Sequence, residues 1–270
     1  MRVYVGSCIW RTAEIGYMKS VMGLLKGVPD GATFGYFPQT GDALIERARA
    51  ISATYFLRNT DYDVHLSIDS DIIGFSREET VKMCELAMEH DIVAGVYVCR
   101  SPARTFPATF YEEGVRVLHD TNHRAEPCKW AATGFMAVHR RVFERMAEGL
   151  TLLHPSEGER AFYNFYQPFE YEDADTGEPI LLSEDYAFCE KAKRLGFGCN
   201  IDPAVRLGHV GQYTYRLEDT AQPLIEPQPL ALTRTGRRWR IEGMAEREKE
   251  IAVPQLVIPN RAQKRALTRA

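Results

Sequence analysis

Carboxylates and one imidazole occur at places along this chain where their spacing suits chemistry on a phosphorylated ligand. Asp69-Ser70-Asp71 presents two carboxylates with one residue between them, after the run Val64-His65-Leu66-Ser67-Ile68. Two Asp so spaced suit a hard divalent cation, which takes oxygen ligands and shares them with phosphates. Ser183-Glu184-Asp185 puts two more carboxylates at the start of a segment with helical periodicity. There a carboxylate can take a proton from a hydroxyl group. His209, flanked by Gly208 and Val210-Gly211, can add a nitrogen ligand of the kind Mn²⁺ accepts. Thr133-Gly134 precedes an apolar run, and a glycine there lets the backbone come close to a ligand. Each motif alone has a plainer explanation. Asp fills turns and caps. Ser followed by acids stabilises a helix start through capping and the macrodipole. A lone His is most often structural or exposed.

For these groups to meet, the chain must bring them to one edge of a sheet. Residues 3–6, 33–37, 64–68, 92–99 and 135–139 read as strands. Residues 14–26, 76–90, 141–147 and 183–195 read as helices, with Ser76 and Ser183 as caps and Gly196 as a stop. A further helix follows Asp42, with Leu44, Ala48, Ile51 and Tyr55 at helical spacing. Strands alternating with helices imply right-handed crossovers and a mostly parallel sheet. Open sheets of that kind bind ligands beyond the carboxyl ends of their strands. Asp69 and Asp71 fall at such an end. Ser7, Cys8, Trp10 and Arg11 follow the first strand, and Arg100 and Arg104 follow the strand at 92–99, where they can neutralise a diphosphate. Arg47 and Arg49 are weaker candidates, because a charged helix face is usually just solvated. Residues 100–130 and 150–180 are rich in Pro, Gly, aromatic and charged residues and read as loops over the active face.

Taken in order, the four motifs Asp69-Ser70-Asp71, Ala132-Thr133-Gly134-Phe135, Ser183-Glu184-Asp185 and His209 resemble the signature of GT-A fold glycosyltransferases. The resemblance is closest to the large inverting, metal-dependent family. Asn59-Thr60-Asp61-Tyr62-Asp63 resembles that family's approach to the Asp pair, and residues 200–208 resemble the segment that ends in a metal-binding His. The likeness covers residues 1–215. It implies a GT-A (Rossmann-like) α/β domain with a mostly parallel central sheet flanked by helices; residues 216–270, a basic C-terminal extension, lie outside the resemblance.

The same resemblance implies the site. Asp69, Asp71 and His209 form the expected Mn²⁺ or Mg²⁺ site. Asp71 is the first choice for direct ligation, and Asp69 contacts the ribose or orients its neighbours. A nucleoside diphosphate sugar, with a UDP-sugar favoured, is expected against Ser7, Cys8, Trp10, Arg11, Asp69, Arg100, Arg104, Thr133 and Gly134. Asp185 takes the role of base, and Glu184 contacts the acceptor or the sugar. One departure stands out: His65-Leu66-Ser67 is more polar than the family's usual run before the Asp pair.

Composition bounds the class. At 270 residues and 45% hydrophobic content, the chain suits one α/β domain with an appendage. No apolar run approaches the length of a membrane span. The start reads as a strand rather than a signal peptide. The six Cys show no paired metal spacing, and a reducing cytoplasm fits them best. From Leu232 onward ten Lys/Arg face four Glu, so a basic tail of +6 follows a body of −10. Arg234, Arg237, Arg238 and Arg240 cluster around Gly236 and Trp239. This cluster is either a hairpin strapped to the body or an arm for a polyanion. The acceptor is accordingly a glycan, a small molecule or a modified base in DNA. Two other functions share parts of the pattern. A sugar nucleotidyltransferase needs a Gly-rich basic phosphate loop, of which residues 6–11 are a poor version. A non-catalytic sugar-nucleotide or glycan-binding module would not need the full motif set.

Overall fold

The computed structural model describes residues 1–26, 31–100, 107–112, 115–156, 160–173, 177–211, 230–235 and 238–241. The chain opens as β1 (Arg2–Ile9), α1 (Ile15–Leu25), β2 (Thr33–Thr40), α2 (Ile45–Asn59), β3 (Val64–Ile68), β4 (Ile72–Ile73), α3 (Arg77–His90) and β5 (Ile92–Val96). Short strands follow as β6 (Ala108–Thr109), β7 (Arg116–His119), β8 (Glu126–Pro127) and β9 (Trp130–Ala131), before β10 (Phe135–His139) and α4 (Arg140–Ala147). Next come β11 (Leu152–Leu153), β12 (Phe162–Tyr163), β13 (Phe169–Glu172), β14 (Pro179–Leu182), α5 (Glu184–Arg194), β15 (Cys199–Arg206) and β16 (Gly208–His209). β17 (Leu230–Thr235) and β18 (Arg238–Ile241) complete the described chain.

Seven strands form the central sheet in the order β2-β1-β3-β10-β5-β15-β8. β1, β2, β3, β5 and β15 share one direction, so the sheet is mostly parallel, while β10 runs antiparallel between β3 and β5. Side-chain alternation divides the core between two layers. Val3, Val5, Leu66 and Ile68 pack with Tyr17, Val21 and Leu24 of α1 and Met83 of α3. Tyr4, Met136 and Val138 pack on the opposite face with Phe56 of α2, Phe143 of α4 and Phe188 of α5. The polarity of β3 is thereby explained. His65 lies in the second layer, stacked on Tyr4 at 5.2 Å and edge-on to Phe56 and Phe143. Its ring is buried as one more aromatic, and the strand is buried at every position.

Local chemistry sets several element ends. Ser76 caps α3 in a reciprocal box with Glu79. Asp42 stands three residues before α2, accepting from the amide of Leu44, the residue at the cap position, at 3.0 Å. Ser183 precedes α5 but makes no side-chain cap: the Tyr186 amide donates to Asp185 Oδ1 at 2.9 Å, the same oxygen to which the Ser183 hydroxyl donates. The strand expected at 92–99 ends at Val96. Its partner β15 shifts register between Ile201 and Arg206 around Pro203, which has no amide to give the ladder. The segments expected as loops carry short two-stranded ladders, β6-β9, β11-β12 and β13-β14. β17 pairs antiparallel with β18 and also with β7, so backbone hydrogen bonds tie this hairpin to the body. Its turn at residues 236–237 and the rest of the tail lie outside the described residues, as does the expected end of α1 at Gly27 and Pro29. No helix among the described residues is long and apolar enough to cross a membrane.

Candidate active site

The carboxyl ends of β1, β3, β5 and β15 open onto one edge of the sheet, and the antiparallel β10 presents its first residues there. Asp69 leaves β3 in a turn in which its carbonyl accepts from the Ile72 amide at 3.0 Å. Its own amide bonds the Gly134 carbonyl at 2.9 Å, which joins the Asp pair to Thr133-Gly134.

Asp71 and His209 meet through a two-residue ladder. β4 follows the Asp pair directly and pairs antiparallel with β16, setting Ile72 opposite His209 and Ile73 opposite Gly208. Gly208 is required for this approach, because a Cβ there would fall 2.7 Å from the Ile73 side chain. The Val210 amide then bonds the Asp71 carbonyl at 2.9 Å. His209 Nε2 consequently lies 3.7 Å from Asp71 Oδ2, and its Nδ1 lies 2.9 Å from the Val98 carbonyl. A carbonyl accepts only, so Nδ1 carries a proton, and Nε2 is the nitrogen that faces Asp71: it donates to the carboxylate when the ring is protonated and offers its lone pair to a cation when the ring is neutral. Arg100 also reaches Asp71, at 2.8 Å. Burial pushes the Asp71 carboxyl up, but His209 and Arg100 outweigh it and hold the carboxyl below its ordinary value. The bond to Asp71 raises His209 against the opposing effect of burial.

Asp71 Oδ1 is buried without a hydrogen-bond partner. An orphaned carboxylate oxygen is costly unless something binds it. Asp71 and His209 thus offer two protein donors to a small divalent cation whose other ligands would come from water or phosphate, as such ions commonly arrange. Among the described residues no three His, Cys, Asp or Glu side chains converge as a closed metal cage.

Asp69 is held differently. Arg49 projects from α2 with only 6% of its side chain exposed and places Nη2 at 2.9 Å from both Asp69 oxygens. Its Nη1 reaches Glu184 Oε1 at 2.5 Å. Burial opposes the charge on Arg49, but Asp69 and Glu184 outweigh it and fix the guanidinium as charged. Burial, then the neighbouring Asp185, push the Glu184 carboxyl up, and Arg49 only partly offsets them. Asp185 is half-buried at the start of α5 and accepts from the Ser183 hydroxyl and the Tyr186 amide.

The remaining sequence candidates divide by exposure. Ser7 is fully buried, and the Tyr17 hydroxyl donates to its Oγ at 2.5 Å. Burial pushes the Cys8 thiol up to about 12 despite Arg49 nearby, which leaves it protonated and a poor nucleophile. Trp10 is half exposed at the end of β1, with Arg11 lying over its ring at 5.2 Å. Thr133 is buried, and its Oγ1 has no partner. Arg104 lies outside the described residues. Arg49, one of two arginines set aside as a solvated helix face, is the residue that joins two of the motifs. The signal was its phase. Residues 49, 52, 53 and 56 share one helical face, and Ser52, Ala53 and Phe56 are buried beside it. An Arg in a buried stripe needs carboxylates opposite. Tyr97, which no sequence motif marks, is buried against Gly134 and edge-on to His209 at 5.2 Å.

No family model and no curated protein matches this chain. Among solved structures, the fold is similar to A197 from STIV, with 13% identity and a TM-score of 0.44 over 80% of this chain and 98% of that one. It is also similar to GalNAc-T7, whose structure holds UDP, GalNAc and Mn²⁺, with 12% identity and a TM-score of 0.43. That match takes in 80% of this chain and 44% of the other, so this chain spans under half of that protein's length. Likenesses of this degree carry no weight for activity, which has to be argued from the site.

Proposed function

We propose that this protein is a metal-dependent glycosyltransferase that moves a sugar from a nucleoside diphosphate sugar, with UDP favoured as the nucleotide, to an acceptor hydroxyl with inversion. One observation carries this reading. The orphaned Asp71 carboxylate faces His209 at the ligand-binding edge of the sheet, with the Asp69–Arg49–Glu184 bridge leading from there to Asp185.

Asp71 and His209 would hold Mn²⁺ or Mg²⁺, which supplies charge neutralisation for the departing diphosphate when bound. Arg100 adds positive charge at the phosphates. Trp10 offers an exposed ring to the base, while Thr133 and Gly134 border the sugar. Asp185 accepts the proton of the acceptor hydroxyl as that oxygen attacks the anomeric carbon from the face opposite the diphosphate. Glu184, with Arg49 on one oxygen, keeps its other oxygen for a hydroxyl of sugar or acceptor. The acceptor class is a glycan, a small molecule or a modified DNA base. All six cysteines are free thiols, which suits the reducing cytoplasm.

The test is a thermal-shift screen of nucleotide sugars with Mn²⁺, followed by product analysis. Cation-dependent release of nucleoside diphosphate is expected, abolished by EDTA and in Asp71→Ala. Release of pyrophosphate would assign the site to nucleotidyl transfer, and full activity of Asp71→Ala in excess EDTA would remove the cation from the reaction.

A further inference from the structure

Arg49 is 20 residues before Asp69 and 135 before Glu184, yet it bonds both. Its guanidinium is a rigid planar fork, and here one arm takes both oxygens of Asp69 while the other takes Glu184. The remaining nitrogen, Nε, is buried without a partner. Nor does the helix need a charge at this position. Its neighbours along the buried stripe are Ser52, Ala53 and Phe56, and apolar packing would serve stability as well or better than a buried ion pair. What the fork does supply is a fixed distance between the end of β3, where Asp71 follows, and the start of α5, where Asp185 follows.

We propose that Arg49 is a positioning residue that sets the donor side of the site against the acceptor side. It occupies Asp69 and one oxygen of Glu184, leaving Asp71 as the carboxylate for the cation and Asp185 as the carboxylate for the acceptor proton. This assignment rests on the glycosyl-transfer reading above. Lysine at this position would keep the charge but present one nitrogen, which cannot hold two carboxylates in one plane. The relative placement of the two halves would then loosen by a fraction of an ångström to an ångström, a displacement that costs about 100-fold in rate when reacting groups must align.

The experiment compares Arg49→Lys, Asp69→Asn and Asp71→Asn with the unaltered full-length protein. Calorimetry measures Mn²⁺ affinity in the presence of UDP, and kinetics measure kcat, donor KM and the ratio of transfer to donor hydrolysis. Arg49→Lys should lower kcat for transfer about 10- to 100-fold while donor KM and Mn²⁺ affinity stay within about threefold, and hydrolysis should gain on transfer. Asp69→Asn should follow the same pattern, whereas Asp71→Asn should lose Mn²⁺ affinity by more than tenfold. Normal kcat per folded molecule with a lower melting temperature would reduce Arg49 to a structural ion pair and overturn the proposal. Loss of Mn²⁺ affinity in Asp69→Asn equal to that in Asp71→Asn would also overturn it, and this holds even if Arg49→Lys does not fold. A protein that binds UDP with Mn²⁺ but turns over no nucleotide sugar would sink the transfer reading instead, while the two Asp affinities would still decide the division between Asp69 and Asp71.

Discussion

The amide of Gly134 donates to the Tyr97 hydroxyl at 3.2 Å, and a Cβ on residue 134 would collide with that same oxygen. The Cβ position is also 3.2 Å from Asp69 Oδ2. Glycine is therefore needed here by the fit between β10, Tyr97 and the Asp pair, independently of any ligand.

Gly134→Ala should consequently fold but with strain, losing about 1–3 kcal/mol of stability, the usual cost of overpacking. Because the added methyl pushes on Asp69, turnover should fall by at least about tenfold more than the loss of folded protein explains. Denaturant melts together with kinetics on the folded fraction check this. Wild-type stability with wild-type turnover would show that Tyr97 simply moves aside.

Asp185→Asn keeps the size of the side chain and its place in the first turn of α5 but loses the proton acceptor. We expect transfer to drop by about 10²-fold or more with donor affinity little changed. Unfolding with near-normal turnover per folded molecule would mean that the carboxylate serves the helix start alone. Product stereochemistry is a separate check, since retention at the anomeric carbon excludes single displacement.

His65 makes stability depend on pH in a calculable direction. Burial lowers its pKa from 6.5 to about 3, so the folded protein keeps the ring neutral. The unfolded chain takes up a proton below about pH 6.5 and the folded one does not. This contribution is therefore complete above about pH 6.5 and is lost as pH falls toward 3, at about 1.4 kcal/mol per pH unit. Urea denaturation at pH 7.5, 5.5 and 4.5 should show a slope close to that value between the lower two points. His65→Gln should flatten it, and equal slopes in both proteins would show that His65 is not the group responsible.

The C-terminal hairpin supplies β7 with a strand partner. Truncation after residue 229 removes β17 and β18 and leaves the β7 backbone unpaired on that side. Melting temperature and donor hydrolysis should fall together. If both stay unchanged while binding to a polyanion weakens and loses its salt dependence, the tail is an acceptor arm rather than a strap.

Much of the architecture was readable because hydrophobic period marks elements well. β3, β10 and α3 stand at or within a residue of where the pattern put them, and Ser76 caps α3 as a Ser three before a Glu should. The antiparallel insertion of β10 was not readable, because a buried strand carries no sign of its direction. Arg49 was legible only as a residue on the wrong side of a helical stripe. Its partners lie far along the chain, and no local spacing names them. The reverse holds for Ser183, whose position promises a cap. The carboxylate two residues on accepts from the Tyr186 amide in its place.

The place of β10 also constrains how the protein comes into being. β3 and β5 follow one another closely in sequence, yet the two do not pair; each pairs with β10, which is made later. A nascent chain that has emerged as far as β5 thus holds β2-β1-β3 with one edge of β3 open and apolar and β5 still without a strand partner, and residues 135–139 are needed to bridge them. Contacts that must wait for distant sequence slow folding. The same strand brings Gly134 to Asp69, while α5 with Asp185, β15 and the His209 segment join that edge later still. A chain arrested before β10 is exposed to edge-to-edge association, and a chaperone that shields strand edges would have its greatest effect there.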